Sequence, residues 1–368
     1  MIDLNLLKSE EKAIFSMRTL YSKYGYLPFK MSKFEEYELY LKNKDFLVSD
    51  RIITFNDTNG KLMALKPDVT LSIIKNSEDI EGFKQKLCYN ENVYRVSGST
   101  HQYKEIMQTG IECIGDIDEY DVFEVITLAA KSLSLISNEY VLDISHLGIL
   151  TSILDSISVD PAFTRLAAHY IAEKNTHDLV RICKENGVDS SKAELLAKLA
   201  GAYGTLSEII DLLQPVCESE EAINALNEIK LLNDHISGTE LENKIFFDFS
   251  IVNDMSYYNG IVFKGYLNGI CEGVLAGGRY DKLMQKMGRR SGAIGFALYL
   301  DLLEDLKTTD SGYDVDILVV YDKSTDAKIV SDTTRKLSES GKTVSAQKCI
   351  PDKIRYKEIL DLRGENRD

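Results

Sequence analysis

Apolar residues recur at helical spacing near the start of the chain. Ile14, Phe15, Met17, Leu20 and Tyr21 predict an amphipathic helix over residues 9 to 24, opened by Ser9 and its neighbouring glutamates. The run "RIITFNDTNGKLMALKPDV" reads as a β-hairpin, because Asn59-Gly60 tolerates the positive φ of a tight turn. Residues 69 to 79 predict a helix, and 87 to 97 and 105 to 115 predict two long strands around a polar loop. "DEYDVFEVITLAAKSLSLI" has one apolar face and predicts a helix, and "EYVLDISHLGIL" a strand entering a turn.

The pattern then changes. Residues 148 to 240 carry helical periodicity and no strand signal, which predicts a helical insertion. Strands resume with "KIFFDFSIV", "YYNGIVFKGYL" and "CEGVLAGG", and helices are expected over 280 to 288 and 295 to 306. "KTTDSGYD" reads as a linker of turn-forming residues, and the tail after it as β-α-β. The predicted organisation has a core in two parts, 1–147 and 241–308, a helical insertion over 148–240, and a C-terminal α/β segment over 313–368. Strands interrupted by helices give an α+β fold, a mostly antiparallel sheet flanked by helices.

Composition narrows the function classes. A 368-residue chain with 44% hydrophobic and 27% charged residues fits an ordinary globular protein. No apolar run reaches the ~18 residues of a membrane span, and the N-terminus lacks the features of a secretory signal. The six scattered cysteines form no CxxC pair and read as reduced thiols of a cytoplasmic protein. The five histidines do not cluster with them, so neither a metal nor a cofactor is expected. A net charge of −15 lowers the expectation of a nucleic-acid partner. Gly277 and Gly278 are read as permitting a bend, and "GGRYDKL" lacks the Gly-Lys-Ser/Thr ending of a phosphate loop. His101 reads as surface and His146 as a structural contact.

Four segments in register carry a resemblance: "LKPDVT", "CYNENVYRVSGSTHQYKEIMQTGIECIG", "NDMSYYNGIVFKGY" and "AGGRYDKLMQKMGRRSGAIGFALYLDLLEDL". Together they resemble the histidyl branch of the class II aminoacyl-tRNA synthetases across about residues 10 to 306. That branch includes the synthetase itself and a non-catalytic paralogue, the regulatory subunit of ATP phosphoribosyltransferase. The synthetase handles ATP with arginines at fixed positions. Its Phe-Arg-x-Glu-Arg-Pro motif matches Tyr94-Arg95-Val96-Ser97-Gly98-Ser99, which keeps one arginine. The arginine of its Arg-Gly-Leu-Asp-Tyr-Tyr motif matches Asn253, and the arginine of its last motif matches Leu302, with Tyr299 at a glycine position. Losing one such preorganised group costs about 2.7–4 kcal/mol of transition-state stabilisation. The pattern therefore points away from adenylation.

The amino-acid half of the site is retained. The resemblance implies that Asp68, Thr70 and Gln108 meet a histidine ammonium, Arg95 its carboxylate, and Glu112 with Tyr258 its imidazole. Tyr257 and Tyr280 would line the pocket. Gln108 and Glu112, four apart on a strand, share a face. The paralogue's role would be to join the short-form catalytic subunit in a hetero-octamer, as a homodimer through its core, with L-histidine as effector. A divergent histidyl-tRNA synthetase and a free-standing histidine sensor remain as alternatives.

Overall fold

The protein is described from a computed structural model, which covers residues 9–44, 52–96, 101–158, 160–251, 258–305 and 312–364. It divides into two compact units, Met1–Leu306 and Lys307–Asp368.

In the first unit, helix α1 (Ser9–Lys23) leads through β1 (Leu27–Pro28) and β2 (Phe34–Glu36) to α2 (Tyr37–Lys42). The expected hairpin is β3 (Thr54–Asn56) and β4 (Leu62–Leu65), turned by Gly60 at φ +81° and by Asp57, whose carboxylate accepts from the Asn59 and Lys61 amides. Helix α3 (Thr70–Asn76) precedes the long antiparallel pair β5 (Gln85–Val96) and β6 (Tyr103–Gly115). Helix α4 (Glu119–Ser134) is capped by Asp118, which accepts from the Asp121 amide, and β7 (Tyr140–His146) follows.

Six helices come next: α5 (Leu147–Ile157), α6 (Pro161–Ala172), α7 (Thr176–Glu185), α8 (Ser190–Ala200), α9 (Leu206–Leu213) and α10 (Glu220–Ile236). A two-residue strand, β8 (Tyr203–Gly204), interrupts them, where the periodicity predicted none. Their apolar residues, such as Phe163, Leu196 and Leu226, join the same core cluster as Ile144 and Phe263 of the sheet. The unit is completed by β9 (Ile245–Asp248), β10 (Ile261–Leu267), β11 (Leu275–Arg279), α11 (Asp281–Lys286) and β12 (Gly292–Tyr299), with a 3-10 turn over Asp301–Asp305.

Strand β12 corrects the helix expected over 295 to 306. Its run Ala293-Ile294-Gly295-Phe296 is buried throughout, so it shows no polar alternation, and a short apolar run does not distinguish strand from helix. The ladder decides, because β12 lies between β6 and β11 in the middle of a nine-stranded sheet ordered β1-β5-β6-β12-β11-β10-β7-β9-β8. Gly277 and Gly278 permit no bend either. They lie inside β11, in regular antiparallel register with Phe296 and Gly295.

One face of this sheet is apolar. Ile111, Cys113, Ile294, Phe296, Leu298, Phe263 and Ile144 are all buried in the cluster that also holds Met17 and Tyr21 of α1 and Val125 and Ala129 of α4. The Tyr21 hydroxyl is 2.9 Å from that of Ser132, tying α1 to α4. The other face carries the site. No helix among the described residues is long and apolar enough to cross a membrane.

The second unit is a parallel three-stranded sheet. Strand β13 (Val315–Val320) lies between β14 (Val344–Gln347) and β15 (Tyr356–Asp361), and α12 (Ala327–Glu339) crosses from β13 to β14. The β-α-β reading covers all but β15, whose residues are mostly exposed and carry little hydrophobic signal. Ile317, Val319 and Leu362 form its small core.

Candidate functional site

Cross-strand register determines which residues share the second face. Glu112 pairs with Gly295, Gly110 with Ala297, and Gln108 with Tyr299. Gly295 pairs in turn with Gly278, and Ala297 with Ala276. Paired residues in a ladder project to the same side. Glycines and alanines of β6, β12 and β11 therefore make a floor with almost no side chains, and longer residues stand around it. The result is a cavity of about 570 Å³, within the range of small-molecule sites.

Glu112 sits at the edge of that floor and is only 2% exposed. The Thr70 hydroxyl donates to its Oε1 at 2.9 Å, and the Tyr280 hydroxyl to its Oε2 at 2.5 Å. Thr70 is placed by the start of α3, and Tyr280 by the junction of β11 and α11. Burial pushes the Glu112 carboxyl up to about 8, against the pull of both hydroxyls and with a smaller push from Asp68. A carboxyl poised between its two protonation states can accept from one ring nitrogen of an imidazole or donate to the other.

Asp68 lies before α3 and accepts from the Leu71 amide at 2.9 Å. Burial raises its carboxyl, opposed by that amide and by Arg95. Arg95 donates from Nε to the Pro67 carbonyl at 3.0 Å, and its positive charge opposes the rise that burial gives the Tyr299 phenol. Gln108 is 3% exposed, and no hydrogen bond holds its amide among the described residues. Tyr258 lies across Gly278, where a Cβ would stand 2.8 Å from the ring.

Seven predicted site residues thus line one hollow: Asp68, Thr70, Arg95, Gln108, Glu112, Tyr258 and Tyr280. The eighth, Tyr257, lies outside the described residues, as do Asn253 and Ser97 to Ser99 of the motif comparison. The same hollow is walled by residues the pattern did not single out, notably Tyr89, Lys264 and Glu272. Tyr89 is buried and donates to the Phe296 carbonyl at 3.3 Å. Its place on the face of the hollow follows from its even spacing with Arg95 on β5, a signal the sequence does contain. Tyr299, at a glycine position in the motif comparison, also lines the hollow. Leu302 does not line the hollow but packs against the main core.

His146 is 4% exposed and contacts the Glu228 carboxylate through Nε2 at 3.1 Å, outside this hollow. His101 is exposed, with φ of 58°.

Comparison with known proteins follows this geometry. The family described as histidyl-tRNA synthetase matches residues 5–303. An ATP phosphoribosyltransferase regulatory subunit from Caldanaerobacter subterraneus subsp. tengcongensis is 30% identical over 292 residues, covering 77% of this chain and 75% of the relative. Among solved structures, an ATP phosphoribosyltransferase regulatory subunit/histidyl-tRNA synthetase from Bacillus halodurans superposes with a TM-score of 0.79 at 23% identity. That match covers 97% of this chain and 94% of the other. A chain of the ATP phosphoribosyl transferase (HisG:HisZ) complex from Thermotoga maritima has a TM-score of 0.63 at 18% identity, over 80% of this chain and 98% of its own. At these identities the structural likeness is one of fold.

Proposed function

This chain belongs to the histidyl-tRNA synthetase family, within its ATP phosphoribosyltransferase regulatory-subunit branch, and on that premise we propose that it regulates the transferase without catalysing. The catalytic subunit would carry the reacting groups of the first step of histidine biosynthesis. This chain would be needed for that activity and would report free histidine to it. The likeness to a chain of a transferase complex supports a catalytic-subunit partner.

The observation that carries the reading is the contrast within one hollow. Glu112, buried and held by Thr70 and Tyr280, would meet an imidazole. Arg95 lines the same hollow and would meet a carboxylate, and Asp68 with Gln108 an ammonium. Where the synthetase motif places an arginine, Leu302 packs into the core. Among the described residues lining the hollow, the cations are Arg95 and Lys264, and Arg95 is already engaged by the Pro67 carbonyl. Triphosphate chemistry depends on several such groups acting together. Histidine feedback then requires only that the bound and empty pocket favour different states of the assembly, with a coupling of about 1–3 kcal/mol.

The test mixes this protein with a cognate short-form catalytic subunit. Phosphoribosyl-ATP synthesis should appear only with both present and should fall when histidine is added. ATP–pyrophosphate exchange dependent on histidine, catalysed by this chain alone, would overturn the reading in favour of a synthetase. Histidine binding without any effect on the transferase would point to a free-standing sensor.

A further inference from the structure

We infer that the end of the hollow farthest from Arg95 is a second anion subsite, built on Lys264, for a phosphoryl group. The inference rests on the histidine reading only for the identity of the hollow as a ligand site. Lys264 stands on β10, and its row across the sheet runs Lys264, Ala276, Ala297, Gly110. Three ladder steps of about 4.8 Å separate β10 from β6, so the row spans about 14 Å. Its middle members carry at most a methyl group. Along that row no side chain longer than a methyl group divides the Gly110 end from the Lys264 end, and the cavity is far larger than one free amino acid fills.

The lysine is held in place. Its alkyl stem lies over Gly273, where any Cβ would overlap it. Its ammonium stands 5.6 Å from the centre of the Tyr266 ring, a cation–π contact. No carboxylate among the described residues forms an ion pair with it. Asp143, directly opposite on β7, accepts from the Tyr203 hydroxyl at 3.3 Å instead. Glu272 lines the same end of the hollow and is exposed. A lysine that lines the cavity, its stem held over Gly273 and its ammonium in no ion pair among the described residues, favours an anion there. The small floor gives that anion room beside a bound histidine. A phosphoryl group could arrive as free phosphate or on a nucleoside.

The experiment uses the full chain and calorimetric titration with inorganic phosphate, adenosine monophosphate and histidine. At least one of the two phosphates should bind, and the one that binds identifies the source. That affinity should fall by at least about tenfold in Lys264→Gln, the scale of one charge-assisted hydrogen bond. It should be retained in Lys264→Arg, and histidine affinity should be unchanged in both variants. Equal phosphate affinity in wild type and Lys264→Gln, or no binding of either phosphate, would overturn the subsite. Failure of histidine to bind while phosphate binding depends on Lys264 would remove the feedback reading and leave this one standing.

Discussion

Gly295 and the carboxylate of Glu112 are packed so closely that a Cβ at position 295 would overlap Oε2. The two are register partners on β12 and β6, and the glycine leaves space for the buried acid. Gly295→Ala should therefore displace Glu112 from Thr70 and Tyr280. Overpacking of this kind costs about 1–3 kcal/mol. Thermal unfolding should show that loss, and calorimetry should show histidine affinity reduced by about tenfold or more. A folded Gly295→Ala protein with wild-type histidine affinity would count against Glu112 as a ligand.

The pH dependence of stability should carry the mark of Glu112. Its folded-state value is about 8 against an ordinary 4.5, so between those values the folded protein holds more protons than the unfolded chain. Stability contributed by the protonated acid is present below pH 4.5 and is lost as pH rises through about 8. Denaturant unfolding of the empty protein should become easier across that window. Glu112→Gln, which stays neutral, should flatten that part of the curve; an unaltered slope would mean that the acid is ionised throughout.

Lys66 is fully buried, and its ammonium lies 2.5 Å from the Glu91 carboxylate. Burial lowers the Lys66 value, and Glu91 opposes that. Glu91 is paired with Gln108 across the ladder, so this ion pair stands on the same face of the sheet, beside the hollow. Removing one partner leaves a buried charge uncompensated, at a cost of about 3–5 kcal/mol. Glu91→Gln should show much of that loss in urea unfolding. The double change Lys66→Met with Glu91→Leu should lose less than Glu91→Gln alone.

Every residue lining the hollow precedes position 307, where the second compact unit begins. The first unit has its own core, with α1 and α4 against the large sheet. A chain ending at Leu306 should keep full histidine affinity in calorimetry. A large loss would assign the C-terminal unit a part in forming the pocket.

Some of this site was legible before any fold was drawn. Gln108 and Glu112 alternate with apolar residues, so a strand puts both on one face whatever its neighbours are. The Asn59-Gly60 turn was equally local. Strand β12 was not legible, because burial on both sides removes the alternation that marks a strand. Lys264 was missed for a different reason. In "GIVFKGYL" it is an ordinary polar position, and its relation to Gly110 depends on three pairings between segments far apart in the chain. The role of Gly277 and Gly278 was hidden likewise, because a close approach of neighbouring strands cannot be told from a bend without knowing the neighbours. The third strand of the tail is largely solvent-exposed and has little apolar signal to read.

In β6, Gln108 and Glu112 share a strand with Ile111 and Cys113, whose side chains point the opposite way into the core. A slip of one residue against β12 would exchange the two sets, setting an acid against α4 and apolar side chains into the hollow. The core and the hollow are thus set by the same hydrogen-bond ladder. A misregistered molecule would lose the hollow and the buried face together, so it would be unable to stay folded.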